Sequence, residues 1–126
     1  MKFKINSSIK NYQGFIISKK LPLLKNDNNA VFLIDRKVEK LYGSMFLGIQ
    51  NKILVQASEK NKDITQVLKI FYKLKKLNFN KDQKIICIGG GVLQDISTFI
   101  ASLYMRGVVW EYYPTTLLSM VDSCIG

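Results

Sequence analysis

Continuous apolar runs alternate with stretches of helical spacing along most of this chain. Two short apolar stretches, Phe3 to Ile5 and Phe15 to Ile17, flank a polar segment with Gly14 and read as a pair of strands. Pro22 and the cluster Asn26-Asp27-Asn28-Asn29 break that pattern. Val31-Phe32-Leu33-Ile34 then closes on Asp35, and a short helical segment around Val38 and Leu41 follows, which Gly43 can end. Ile53-Leu54-Val55 is a further strand. Between Asn61 and Asn78, the apolar positions Ile64, Val67, Leu68, Phe71 and Leu74 keep helical spacing, with Asn61 as N-cap and Asp63 in the first turn. Ile85 to Ile88 has no polar alternation, as expected of a strand covered on both faces in a parallel sheet. A helix from about Val92 to Met105 and a strand from Val108 to Tyr112 complete the order. Strand, helix, strand, helix, strand predicts an α/β fold, a parallel sheet covered on both faces with right-handed crossovers. No repeat or linker splits residues 1–126, so one domain is expected.

Composition removes several function classes. No apolar run approaches the roughly eighteen residues of a membrane helix, and the start Met1-Lys2-Phe3-Lys4 lacks the apolar centre of a signal peptide, which predicts a cytoplasmic protein. The formal charge of +10 invites a nucleic-acid reading. Its distribution argues otherwise: the cations are mostly lysines scattered from Lys2 to Lys84, and only Arg36 and Arg106 carry the planar fork suited to phosphates and bases. The densest group, Lys69, Lys73, Lys75 and Lys76, falls late in the central helix, where cations suit the dipole and a solvated face. Two cysteines and no histidine make no metal spacing; Cys87 reads as a small core residue and Cys124 as a free thiol.

The candidate chemistry collects at the carboxyl ends of the predicted strands, where ligands bind in open α/β sheets. Gly89, Gly90 and Gly91 follow a strand directly, so the backbone can turn tightly and approach a pyrophosphate at a helix N-terminus. Asp95 lies one turn further on, placed to accept bonds from cofactor hydroxyls or to brace the turn. A triple glycine alone is a weak signal, and it has neither Walker nor Gly-x-Gly-x-x-Gly spacing. Asp35 ends a strand where an acidic side chain often meets an adenosine ribose, although it also suits a helix cap. Glu59 and Lys62 follow the next strand and can face the same cleft or form a plain surface ion pair. Thr115 and Thr116 after Pro114 offer hydroxyls at a strand end or a helix cap. Asp122, among apolar and small residues, is harder to read as surface.

The ordered set Glu59-x-x-Lys62, Gly89-Gly90-Gly91-x-x-x-Asp95, Arg106-Gly107, Pro114-Thr115-Thr116-Leu117-Leu118 and Val121-Asp122-Ser123 resembles the amino-terminal part of 3-dehydroquinate synthase, a member of the sugar-phosphate cyclases. The resemblance runs from about Val31 to the end and is most specific from Ile85 onward. It implies a Rossmann-like domain, a parallel sheet with helices on both faces, that binds NAD, with Asp35, Glu59 and Lys62 on the adenosine side. Gly90, Gly91, Val92 and Asp95 line the pyrophosphate and nicotinamide ribose on this reading, and Thr115 and Thr116 contact the nicotinamide half. Asp122 is expected beside a sugar-phosphate substrate. Arg106 looks like the family arginine that reaches the substrate phosphate of a neighbouring subunit, which implies a homodimer. The family reaction is a carbon–oxygen lyase step within aromatic biosynthesis, with elimination of phosphate from a heptulosonate phosphate and ring closure.

Departures accompany the matches. Gln94 stands where most members have glycine and Cys124 where serine is usual, and the link between Tyr42 and Ile53 is short, as in a divergent branch. Family members continue into a mostly helical domain whose divalent metal, zinc or cobalt, is held by a glutamate and two histidines; a sequence without histidine has no counterpart. The expectation is a cofactor half that does not catalyse the reaction alone, with Leu117, Leu118, Met120 and Val121 normally packed on the other domain. The alternatives are a cyclase making a different cyclitol, a more distant polyol dehydrogenase, a non-catalytic truncated module, or a basic nucleic-acid binder.

Overall fold

A computed structural model describes residues 2–5, 12–15 and 26–123 of the chain. Strand β1 (Lys2–Ile5) pairs antiparallel with β2 (Tyr12–Phe15), Lys2 opposite Phe15. The expected strand around Phe15 to Ile17 thus begins earlier, at Tyr12; Ile16 and Ile17 lie outside the described residues. The remaining elements are β3 (Ala30–Asp35), α1 (Arg36–Tyr42), β4 (Lys52–Val55), α2 (Ile64–Lys76), β5 (Lys84–Gly89), α3 (Gly91–Leu103) and β6 (Val109–Pro114). All four strands from β3 to β6 are parallel, in the order β4-β3-β5-β6.

The apolar runs become strands because both faces of the sheet are covered. On one face Val31, Leu33, Ile53, Val55, Ile85 and Cys87 pack under Val67, Ile70 and Leu74 of α2 and Leu93, Ile96 and Ile100 of α3. On the other, Phe32, Ile34, Ile86 and Ile88 meet Val38 of α1 together with Phe46 and Ile49. Alternate residues of β3 serve opposite faces, as strand pleating requires. Among the described residues no helix is long and apolar enough to cross a membrane.

Several boundaries differ from the pattern, among them that of β6, which runs on to Pro114 instead of ending at Tyr112. The cap of α2 is Asp63, whose carboxylate accepts the Gln66 N–H at 2.9 Å; Asn61 sits in a preceding 3-10 turn, Glu59–Asn61. Gly43 does not end α1 with a left-handed cap, because its φ of −53° carries the chain into a further 3-10 turn, Gly43–Phe46. Helix α3 ends at Leu103, and Met105, Arg106 and Gly107 take φ of 48°, 65° and 104° in succession, which reverses the chain into β6.

Candidate functional site

The register brings four strand ends to one level. Asp35 pairs with Val55, Ile34 with Ile88, and Gly89 with Pro114. From β3 the chain leaves to α1 on one face, and from β5 it leaves to α3 on the other. The connections diverge between β3 and β5, the kind of crevice in which open α/β sheets hold ligands. At that point the two strands approach closely: a Cβ added to Gly89 would meet Asp35 Cβ at 3.3 Å and Leu93 Cδ2 at 2.7 Å.

The glycine turn is held from β6 and from the segment that follows it. The Gly89 carbonyl accepts the Thr115 N–H at 2.9 Å and the Tyr112 hydroxyl at 3.1 Å. Gly90 is the N-cap of α3 in extended backbone and supplies no side-chain cap. The first amides of α3 therefore have no capping side chain and point into the crevice end of the sheet. A Cβ on Gly90 would stand 3.1 Å from Thr116 Cγ2, so the bare backbone here keeps open the space beside the threonine.

Thr116 is fixed by Ser119 through a reciprocal pattern three residues apart. Its hydroxyl donates to Ser119 Oγ at 2.8 Å and accepts the Ser119 N–H at 3.3 Å, while Ser119 Oγ donates to the Thr116 carbonyl at 2.9 Å. Ser119 is fully buried. The threonine cap anticipated as the plainer reading therefore forms, and Thr115 enters the site by its backbone.

Lys62 and Asp95 form the closest ion pair of the site, Nζ to Oδ2 2.6 Å, with both side chains about half exposed at 43% and 50%. The Asp95 hydrogen bond, then its charge, raises the Lys62 pKa, and Glu59 adds a smaller push in the same direction. Lys62 thus pairs with Asp95 across two elements, and Glu59 acts on it only through space; the simple Glu59–Lys62 surface pair does not form. Asp35 does cap α1, its carboxylate accepting the Lys37 N–H at 3.0 Å, and it is buried at the strand end.

Two expected residues fall elsewhere. Arg106 is exposed in the turn before β6, level with the amino ends of the strands, since Val109 pairs with Lys84. It lies at the opposite end of the strands from Gly89 and Asp95. Asp122 is an exposed residue of the π-helical turn Ser119–Ser123, which corrects the expectation that it is withdrawn from the surface. Gly91 and Val92 open α3 as anticipated. Cys87 is a core residue: burial pushes its thiol up to about 12, despite a Ser97 hydroxyl donating to Sγ at 3.1 Å. Cys124 lies outside the described residues.

Tyr112 and Ser119 are the contributors that sequence reasoning missed. The Thr-x-x-Ser spacing of a reciprocal helix cap was available to find Ser119. For Tyr112 the only signal is that it shares a strand face with Trp110, two residues before Pro114. Among the described residues no group of three or more His, Cys, Asp and Glu stands together as a metal site. A groove of about 280 Å³ between β4 and α2, lined by Lys69, Tyr72 and Lys73 among others, contains none of the residues of the glycine turn.

Residues 52–126 match the family model described as 3-dehydroquinate synthase N-terminal. A 3-dehydroquinate synthase from Pyrococcus abyssi is 37% identical over 107 residues, covering 85% of this chain and 31% of that protein. Among solved structures, 2-epi-5-epi-valiolone synthase from Streptomyces hygroscopicus subsp. jinggangensis, with NAD+ and Zn2+ bound, matches with a TM-score of 0.69 and 28% identity over 75% of this chain and 29% of its own. A 2-deoxy-scyllo-inosose synthase complexed with carbaglucose-6-phosphate, NAD+ and Co2+ shares the fold, with a TM-score of 0.78 at 18% identity, covering 98% of this chain and 38% of that one. The chain spans about a third of the length of these relatives.

Proposed function

The chain belongs to the 3-dehydroquinate synthase family, in its amino-terminal part, and from that premise we propose that it is the NAD-binding portion of a sugar-phosphate cyclase acting on a heptulosonate phosphate. The observation that carries this reading is the glycine turn itself: Gly90 leaves the α3 amides uncapped and the space beside Thr116 open, at the crevice between β3 and β5. Those features fit a dinucleotide pyrophosphate, which needs close backbone approach and aligned N–H donors.

On this reading Gly90, Gly91 and Val92 receive the pyrophosphate with their backbone, and Asp35, Glu59 and Lys62 meet the adenosine side. Asp95 accepts from a ribose hydroxyl of the nicotinamide half, beside Thr115 and Thr116. Bound there, NAD supplies reversible hydride acceptance from a ring alcohol of the substrate. The residues of this chain orient the dinucleotide and hold its ribose hydroxyls. Asp122 faces the sugar phosphate, and Arg106 reaches the phosphate bound by a second subunit of a homodimer. The exposed position of Arg106, at the opposite end of the strands from the glycine turn, supports a role outside its own crevice. A divalent metal, zinc or cobalt, belongs to the complete enzyme.

The test is product identification with the full gene product. Release of phosphate from a heptulosonate phosphate, dependent on NAD and metal, is the expected result. Turnover only of another sugar phosphate would instead favour a cyclase making a different cyclitol, a reading supported by the 28% identity to the valiolone synthase. No turnover of either would contradict the proposal.

A further inference from the structure

One short ion pair stands beside the glycine turn. Lys62 sits on the segment between β4 and α2, Asp95 one turn into α3, and their 2.6 Å ion pair ties the two together beside the glycine turn. Glu59 adds a second negative charge near the ammonium. In this state the cation is already paired with Asp95, so the adenosine side of an incoming dinucleotide finds Lys62 engaged. We infer that Lys62 and Asp95 form a partner-exchange latch, in which binding of a dinucleotide moves Lys62 from Asp95 to the ligand and releases Asp95 for a ribose hydroxyl.

The inference rests on the cofactor reading and deepens it. Half-exposed side chains can exchange partners without unpacking the core, since neither Lys62 nor Asp95 belongs to the buried clusters. The latch also sorts ligands. One that offers phosphates together with a second set of hydroxyls satisfies both released groups, whereas one with phosphates alone leaves Asp95 unpaired and repelling it. Dinucleotides are thus preferred over nucleoside diphosphates by more than the added contact area.

ADP is the discriminating probe, because it presents the adenosine side of the dinucleotide, with its phosphates, to Lys62 and no second ribose to Asp95. Calorimetric titrations of NAD and of ADP into the wild type, Asp95→Asn, Lys62→Met and the double variant separate the possibilities. The latch predicts that Asp95→Asn tightens ADP about three-fold at low salt, as expected for releasing a partly exposed ion pair, with the gain shrinking as salt is added. It also predicts that the gain disappears in the Lys62→Met background, the signature of coupling in a double-mutant cycle. NAD does not share the gain, since Asp95→Asn removes its hydroxyl acceptor. If the wild type binds NAD but Asp95→Asn leaves ADP unchanged, or tightens it equally without Lys62, the latch is wrong and the cofactor reading stands. Failure of NAD to bind the wild type at all would overturn both.

Discussion

The Thr115 N–H donates to the Gly89 carbonyl at 2.9 Å, extending the β5–β6 ladder one residue beyond the Gly89–Pro114 pair. This one bond sets Thr116 against Gly90 and so couples the glycine turn to the segment that follows β6. Side chains alone do not make the crevice: its floor is backbone, and its position depends on what grips the Gly89 carbonyl.

Tyr112 is the second grip on that carbonyl. Tyr112→Phe removes a 3.1 Å hydrogen bond while leaving the Thr115 bond in place. The expected loss is about 1 kcal/mol in urea denaturation, the usual net value of one such bond. An unchanged midpoint would mean that the hydroxyl adds nothing to the turn.

Gly89 is required by packing. Its φ is not left-handed, yet an alanine methyl would meet the buried Leu93 at 2.7 Å and Asp35 at 3.3 Å. Gly89→Ala should destabilise the fold by about 1–3 kcal/mol, typical of overpacking. A variant as stable as the wild type would show that Leu93 has room to move.

Cys87 makes a prediction in alkaline solution. Its pKa is raised from 9.0 to about 12 by burial, so the folded chain keeps a proton that the unfolded chain loses. Stability is therefore fully present below pH 9 and falls as the pH rises from there towards 12, with this group contributing a slope of about 1.4 kcal/mol per pH unit. Cys87→Ala should flatten the alkaline part of the stability profile by that one proton, and an identical slope in the variant would contradict the assignment.

The role proposed for Arg106 can be tested apart from cofactor binding. It stands at the amino edge of the sheet, away from the glycine turn, so Arg106→Gln should leave NAD affinity within about two-fold, as for a surface change remote from a site. In the full gene product the same change should abolish turnover of the sugar phosphate if Arg106 serves a neighbouring subunit. Rescue in mixed dimers with a subunit inactivated at Asp122 would support that exchange; loss of NAD affinity would place Arg106 in its own crevice.

Much of the fold was legible because the strands are covered on both faces, and the runs Val31 to Ile34 and Ile85 to Ile88 say so without reference to anything distant. The glycine turn was legible for the same reason, since it follows directly from a recognisable strand. Contacts between segments far apart in sequence were not. Nothing local announces that Lys62 meets Asp95, or that the Tyr112 hydroxyl returns to Gly89, because these pairings depend on strand order. Asn61 precedes the apolar repeat and is of a capping residue type, yet Asp63, two residues later, captures the Gln66 amide and sets the start of α2. Asp122 misled because its apolar neighbours Met120 and Val121 are themselves exposed.

The most direct test of the central claim is a calorimetric titration of NAD into the wild type and Gly90→Ala. Gly90 lies in extended backbone that alanine can adopt, so the variant should fold, while its methyl would sit 3.1 Å from Thr116 in the space assigned to the pyrophosphate. The account predicts one NAD site in the wild type and an affinity at least about ten-fold weaker in the variant, equivalent to about 1.4 kcal/mol. No binding to the wild type, or equal binding to both proteins, would contradict it.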